Sequence, residues 1–274
     1  MVITIYKIKA QILFKNEVIP NIFLIKLSAI PIAQDAVPGQ FVYIKCSNNN
    51  YPLLRRPMSI HRIDKEKGEI CILFQTKGEG TKLLAQRHPG DYIDIIGPIG
   101  NGFFVNPKSK KVIIVGGGIG VAPLQALIEK LVSERKDVRV LIGALRKEMV
   151  LCEERIANCG AKVDVCTDDG SYMYKGFVTD LLEDAIQGGW LADQVFACGP
   201  EPMLKKVAAI TVEANMPCQV SLEERMGCGI GACMTCVCKI KIKTDVAATE
   251  ENCQYKRVCV DGPIFEASKV VWDD

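Results

Sequence analysis

Cys228, Cys233 and Cys236 stand at a C-x4-C-x2-C spacing, by which one tight loop supplies three of the four thiolates that a [2Fe–2S] cluster needs. Between them lie Gly229, Ile230, Gly231, Ala232, Met234 and Thr235. Glycines and small side chains there let backbone N–H groups turn toward the sulfides and stabilise their negative charge. Zinc is the rival occupant, because all-cysteine sites also hold it, but zinc spacing favours two well-separated CxxC pairs. Three cysteines could complete the set. Cys238 begins an alternating strand on one face with Ile240 and Ile242, which reads as core packing. Cys253 sits among charged and polar residues. Cys259, between Val258 and Val260 and followed by Asp261-Gly262-Pro263, suits a chain folding back against the loop. Cys259 is the preferred fourth ligand, with Cys253 in reserve.

A second group of motifs suits phosphates. Gly116-Gly117-Gly118-Ile119-Gly120 follows an apolar strand and opens a helix, so the backbone can approach a pyrophosphate that the helix N-terminus then stabilises. The spacing is not GxGxxG, so an ordinary Rossmann dehydrogenase is not implied. Arg55-Arg56-Pro57-Met58-Ser59 ends a strand and offers an arginine for phosphate and a hydroxyl for the edge of a flavin ring; an exposed basic turn explains it equally well. Gly78-Glu79-Gly80-Thr81 heads a short helix and could hold another pyrophosphate. Cys198-Gly199-Pro200 ends the last expected parallel strand, where ligands of such sheets sit; a small buried cap explains it equally well. His61 and His88 are too few and too far apart for a metal site or a triad. There is no GxSxG, and no carboxylate pair stands out for hydrolysis. Met58, Met203 and Met226 read as packing residues by spacing.

The elements that must position these groups fall into three segments. Residues 1–105 carry short Val/Ile/Phe-rich runs separated by Pro, Gly and Asn, which predicts five or six strands in a small antiparallel β-barrel. A short helix is expected at Lys82–Gln86, capped by Thr81. Over 106–214 strand and helix alternate: strands at Lys111–Val115, Val138–Leu141, Lys162–Val165 and Gln194–Ala197, and helices carrying Leu124, Leu127, Ile128 and Leu131, then Cys152–Ala157, Gly176–Leu182 and Pro202–Glu213. That pattern means a parallel sheet flanked by helices. Residues 215–274 are cysteine-rich, with one clear strand at Val237–Lys243.

Composition narrows the classes. The 274 residues carry Lys+Arg 34 against Asp+Glu 32, a net charge of +2. That balance gives no electrostatic reason to expect nucleic acid or an anionic membrane surface as partner. There are 13 cysteines, seven of them from Cys218 onward. The N-terminus lacks the charged and apolar regions of a secretory signal, so the cysteines read as metal or redox groups rather than a disulfide framework, and the expected location is cytoplasmic. The longest uncharged run, Val112 to Ile128 at 17 residues, holds four glycines and a proline and reads as a buried strand–turn–helix rather than a membrane span.

RPMS, GEGT, GGGIGVAP and CGPEPM, in that order, resemble the ferredoxin–NADP reductase superfamily, which joins an FAD-binding antiparallel barrel to a nicotinamide-binding α/β domain. The tail EERMGCGIGACMTCVC with VCVDGPIFEA narrows the resemblance to the electron-transfer subunits of class 1B dihydroorotate dehydrogenases, over essentially the whole chain. The resemblance implies that Arg56, Pro57, Met58 and Ser59 contact FAD, as do Leu73, Phe74 and Gln75, with Gly80 and Thr81 at its phosphates. It places NAD, as substrate, at Gly117, Gly118, Cys198 and Gly199. The family's fourth cluster cysteine precedes DGP, which supports Cys259. The lysine-rich strand and TDVAATEEN make the interval from Cys236 to Cys259 longer than the family pattern. The resemblance also implies a partner: an FMN-containing catalytic subunit that oxidises dihydroorotate, in a heterotetramer with two copies of each chain, docking near Met226–Met234 and Thr235. Rivals sharing these motifs are NAD(P)H:ferredoxin oxidoreductases and the flavin subunits of hydrogenases or sulfite reductases; a zinc-stabilised nucleotide sensor is the non-catalytic alternative. Arg146 and Lys147 follow the second parallel strand and could reach the 2′-phosphate of NADP, though a solvated helix start explains them equally well; the resemblance implies NAD.

Overall fold

The computed structural model describes residues 4–272 apart from 48, 50, 243–248, 250 and 251. Lys243, the expected end of the tail strand, and most of TDVAATEEN lie outside the described residues. Seven strands, rather than five or six, make the first sheet: β1 (Tyr6–Ile19), β2 (Ile22–Ser28), β3 (Phe41–Ile44), β4 (Arg56–Ser59), β5 (Arg62–Asp64), β6 (Glu69–Gln75) and β7 (Tyr92–Ile99). All its pairings are antiparallel, in the order β4-β3-β7-β1-β2-β6-β5. The sheet curls into a half-barrel, bringing β4 against β6. Period-2 alternation divides its side chains: Val42, Ile44, Ile70, Ile72 and Phe74 fill the interior, while Phe41 and Tyr43 point to the opposite face. Two short helices, α1 (Ile30–Asp35) and α2 (Glu79–Ala85), bury Ile32 and Leu84 in that interior.

The helix expected at Lys82–Gln86 starts earlier, and Thr81 caps it from inside. Gly78 is the N-cap, and the Thr81 hydroxyl oxygen accepts the N–H groups of Lys77 at 2.9 Å and Gly78 at 3.2 Å. A threonine can close the first turn from the third helical position as well as from the cap.

The second sheet holds β8 (Lys111–Gly117), β9 (Asp137–Ala144), β10 (Lys162–Thr167), β11 (Tyr174–Lys175), β12 (Gln194–Cys198) and β13 (Cys218–Ser221), all parallel. Beyond them a hairpin of β14 (Val237–Lys241) and β15 (Cys253–Arg257) stands apart, and β16 (Ile264–Glu266) returns antiparallel to β13. The order is β11-β10-β9-β8-β12-β13-β16. Helices α3 (Gln125–Ser133), α4 (Glu153–Asn158), α5 (Val178–Gln187) and α6 (Glu201–Glu213) cover it. Val112 and Ile114 of β8 join one core, Ile113 and Val115 the other, so both faces are buried, which explains the near-continuous apolar run.

Three local readings change. The glycine run leads first into a 3-10 turn, Gly118–Leu124, with α3 beginning only at Gln125. Gly176, at φ +146, precedes α5 rather than opening it. β12 is not the last parallel strand, and the sheet does not stop at residue 214: β13 and β16, drawn from the cysteine-rich tail, extend its edge. Their brevity, four and three residues, left no alternation to recognise.

The half-barrel and the parallel sheet pack directly. Leu73 and Ile22 of the barrel enter the core that holds Val121 and Leu124. His61, 2% exposed, meets the carbonyl oxygen of Ala122 at 2.8 Å through Nδ1, and Arg62 pairs with Glu129 at 2.7 Å. Among the described residues no helix is long and apolar enough to cross a membrane.

Candidate metal centre and cofactor cleft

β8 runs on to β9 and β10 on one side, then the chain crosses back to lay β12 against its other edge. The carboxyl ends of β8 and β12 thus meet at the point where strand order reverses, the place where open α/β sheets bind ligands. Gly116 pairs with Cys198 there. The backbones are so close that a Cβ on Gly120 would stand 2.5 Å from the Cys198 carbonyl oxygen, and one on Gly117 would stand 2.5 Å from Met203 Sδ. Gly118 differs: its φ is +54 and nothing lies within 4 Å of where its Cβ would be. The glycines therefore divide between close packing and open space. The Cys198 thiol is fully buried and held well above its usual range, first by that burial and then by the Glu223 carboxylate.

Between barrel and sheet lies a cleft of about 250 Å³. Pro57, Met58 and Ser59 of β4, Leu73, Phe74 and Gln75 of β6, and Thr81 of α2 line one side; Ile119, Ala122 and Pro123 of the glycine turn line the other. Seven of the residues expected at a flavin are thus brought together. Arg56 and Gly80 are placed beside each other, since a Cβ on Gly80 would meet Arg56 Nε at 3.0 Å. Arg55, by contrast, is tied to Asp94 at 2.9 Å. Gly117, Gly118, Cys198 and Gly199 are not part of the cleft lining: Gly118 begins the turn that walls it, and the other three lie at the strand ends next to that turn. Residues 221–224, Met226 and Pro263 also line the cleft; sequence reasoning missed them because SLEE carries no spacing motif. A larger, open groove, lined by Arg62, Glu129 and Arg155 among others, lies away from all these residues.

The cysteine loop sits on the outer face of β3. Cys236 and Cys259 are buried with Phe41, Tyr43, Ile99 and Val258, and Met226 packs against them. Cys228 and Cys233 face outward. Each of their backbone N–H groups donates to the other's sulfur at 3.4 Å, and Ala232 N–H reaches Cys228 Sγ at 3.3 Å. The Thr235 hydroxyl, 3.1 Å from Cys233 Sγ, is the largest influence on that thiol, followed by backbone N–H groups; together they bring it down to about 6. Burial, then the neighbouring Cys236 thiol, pushes Cys259 up to about 12. Among the described residues no three His, Cys, Asp or Glu side chains close around one point as they would for a single ion. The four thiols instead stand as two pairs, which fits a cluster that divides four thiolates between two irons. Inward-turned N–H groups and a low-pKa thiol are the further chemistry a thiolate-bound cluster needs.

Two further cysteines are candidate ligands by spacing. Cys238 is half-buried, its thiol pushed up to about 12 by burial; it packs with Ile240 in the second core and also against the core that holds Cys236 and Cys259, while Ile242 of the same expected face is exposed. Cys253 pairs with Lys241 at the far end of the hairpin from Arg257, about 13 Å along the strand.

Residues 114–209 match the oxidoreductase NAD-binding domain, and residues 223–271 match the iron–sulfur cluster binding domain of dihydroorotate dehydrogenase B. The chain is 40% identical over 264 residues to the electron transfer subunit of dihydroorotate dehydrogenase B (NAD(+)) from Desulforamulus reducens, covering 96% of this chain and 98% of the relative. The corresponding protein of Geobacillus thermodenitrificans is 43% identical, covering 89% and 91%. Among solved structures, a chain of an NADH-dependent reduced ferredoxin–NADP oxidoreductase superposes with a TM-score of 0.84 at 27% identity, over 96% of this chain and 90% of that one. A ferredoxin NADP+ reductase from Neisseria gonorrhoeae with bound FAD and NADP shares the fold, with a TM-score of 0.64 at 16% identity over 76% and 91%.

Proposed function

The chain belongs to the family of dihydroorotate dehydrogenase B (NAD(+)) electron transfer subunits, and from that membership we propose that it carries electrons from the FMN of a catalytic dihydroorotate dehydrogenase subunit to NAD+, within pyrimidine biosynthesis. The relatives' name implies that catalytic partner, and the family's assembly of two copies of each subunit is the form proposed for it. One observation carries the proposal: the paired cysteines rest on Phe41 and Tyr43 of β3, and β4, which β3 hydrogen-bonds, contributes Pro57, Met58 and Ser59 to the cleft.

A flavin exchanges hydride with a nicotinamide and single electrons with an iron–sulfur cluster, so FAD bound in the cleft supplies the conversion between the two. Arg56, beside Gly80, offers a guanidinium to its phosphates, with Thr81 nearby. Pro57, Met58, Ser59, Leu73, Phe74 and Gln75 shape the ring's pocket. Gly118 leaves room for the NAD pyrophosphate, while Gly117, Cys198 and Gly199 hold the backbone at the strand-order reversal. Cys228, Cys233, Cys236 and Cys259 hold the [2Fe–2S] cluster, and the N–H groups of the loop stabilise its charge. Phe41, which both lines the cleft and packs with Cys236 and Cys259, keeps water out of the gap between them.

Segments 1–105, 106–214 and 215–274 are proposed as the flavin, nicotinamide and cluster units, the last lending two strands to the second. The cytoplasm is the proposed location, supported by the absence of any disulfide among the 13 cysteines, a set suited to a reducing compartment.

The test is anaerobic co-purification with the FMN subunit, followed by dihydroorotate-dependent NAD+ reduction. A brown-yellow complex with that activity is expected. A complex that binds iron and flavin yet passes electrons only to ferredoxin would favour the oxidoreductase rival, against which end-to-end identity of 40% weighs. A colourless chain overturns both.

A further inference from the structure

The turn that carries Cys259 is built around one arginine. The carbonyl oxygen of Arg257 accepts the N–H groups of Val260 at 3.1 Å, Asp261 at 2.7 Å and Gly262 at 3.3 Å. Its own N–H and its Nε both donate to Asp261 Oδ2, at 2.8 and 3.2 Å. The far end of the same guanidinium leaves the turn: Nη1 donates at 3.0 Å to the carbonyl oxygen of Gly231, which lies between Cys228 and Cys233. Gly231 is the point where loop and turn meet. Its φ is +82, and a Cβ there would stand 2.6 Å from Val260 Cγ2 and 3.2 Å from Arg257 Nη1. The Gly231 N–H in turn faces the Cys259 sulfur. One residue therefore receives the arginine on its carbonyl side while its N–H lies toward the fourth cysteine. Arg257 and Asp261 are only about a third and a quarter exposed, so water screens their charges incompletely.

Resting on the assignment of the four cysteines as cluster ligands, we propose that Arg257 and Asp261 form a charged clamp that locks the Cys259 turn onto the 228–236 loop and sets the reduction potential of the bound cluster. Arg257 is a positioning residue with two separable effects. Its fork geometry holds loop to turn, because a planar guanidinium can serve Gly231 and Asp261 together. Its positive charge, aimed at the loop, favours the more negative, reduced cluster, since nearby charge is one of the levers on such potentials. Asp261 opposes that effect and lies on the side of the guanidinium away from Gly231. The two residues therefore affect the potential with opposite signs while acting together on cluster retention.

The experiment uses the full chain co-purified anaerobically with its catalytic subunit. Iron content after gel filtration and the cluster midpoint potential, from an EPR-monitored redox titration, are read for Arg257→Gln, Arg257→Lys and Asp261→Asn, with flavin content as a check on folding. Arg257→Gln is expected to lose at least half its iron, with the residual cluster titrating at a lower potential than wild type. Arg257→Lys keeps the charge but not the fork, so it retains a near-wild-type potential with reduced iron. Asp261→Asn still offers an oxygen to the Arg257 N–H, so it keeps most of its iron while its potential rises. Wild-type potentials and full iron in both Arg257→Gln and Asp261→Asn overturn the clamp; shifts of one sign in both overturn its electrostatic half. A wild-type complex without iron overturns the cluster assignment itself, a distinguishable failure.

Discussion

The hydroxyl of Tyr43 donates to the carbonyl oxygen of Gly227 at 2.7 Å, with that of Met226 a further 3.0 Å partner, across 184 and 183 positions of sequence. Tyr43 is 2% exposed, burial lifts its phenol to about 12, and a Cβ on Gly229 would strike its ring at 2.7 Å. Its backbone meanwhile pairs with Pro57. A single side chain thus fixes the height of the cysteine loop above the strand that lines the cleft. Tyr43→Phe removes the single hydroxyl proton that these two half-buried carbonyls share, at a cost of about 1 kcal/mol. The expected outcome is a lower denaturation midpoint and slower exchange between cluster and flavin in rapid-mixing absorbance, with flavin content retained.

His61 should give stability a pH dependence. Burial lowers its pKa from the ordinary 6.5 to about 4, against the hydrogen bond to the Ala122 carbonyl, which needs the proton on Nδ1 and by itself favours the charged ring. The unfolded chain binds this proton below about 6.5 and the folded chain resists until about 4, so stability falls as pH drops through that window, by roughly 3 kcal/mol at most. Urea titrations from pH 7 to 4 should show that loss, and His61→Asn, which can still donate to Ala122, should flatten this component of it.

The two kinds of glycine should separate. Gly120→Ala forces a methyl against the Cys198 carbonyl and is expected to destabilise by several kcal/mol or to prevent folding. Gly118→Ala meets no protein atom and pays only about 1–2 kcal/mol for its left-handed backbone. It should fold, keep its flavin and show a KM for NAD+ raised tenfold or more, because the methyl enters the space proposed for the pyrophosphate.

Cysteine replacement distinguishes the two candidates for fourth ligand. Cys259→Ser should strip or severely destabilise the cluster, seen as lost visible absorbance and iron. Cys253→Ser, at the far end of the hairpin, should leave both within about 10% of wild type.

What could be read in advance follows from where each signal lives. The β8 run and the helix face of Leu124, Leu127, Ile128 and Leu131 are long enough for periodicity to speak, and the C-x4-C-x2-C loop is local. The Arg56–Gly80 meeting and the Tyr43–Gly227 bond join segments 24 and 184 positions apart, and nothing at either end marks the partner. Thr81 reads as a cap in sequence because a threonine at the cap and one at the third helical position leave the same trace. β13 and β16 are strands only because a sheet edge awaits them; alone, such short segments show no preference. Glu223, drawn to Cys198 by the β12–β13 pairing, is equally a product of assembly.

Ser221 and Ile264 are register partners at the ends of β13 and β16. The described residues between them, including the four cysteines proposed as ligands, lie off the sheet edge, and the chain comes back to it on the strand next door. Entry and exit are thus adjacent, so the segment is a cassette: a short hairpin could bridge the same gap without re-threading the chain. A two-unit flavin reductase could gain or shed its iron–sulfur wire by exchange at one seam, while the nicotinamide sheet stays whole.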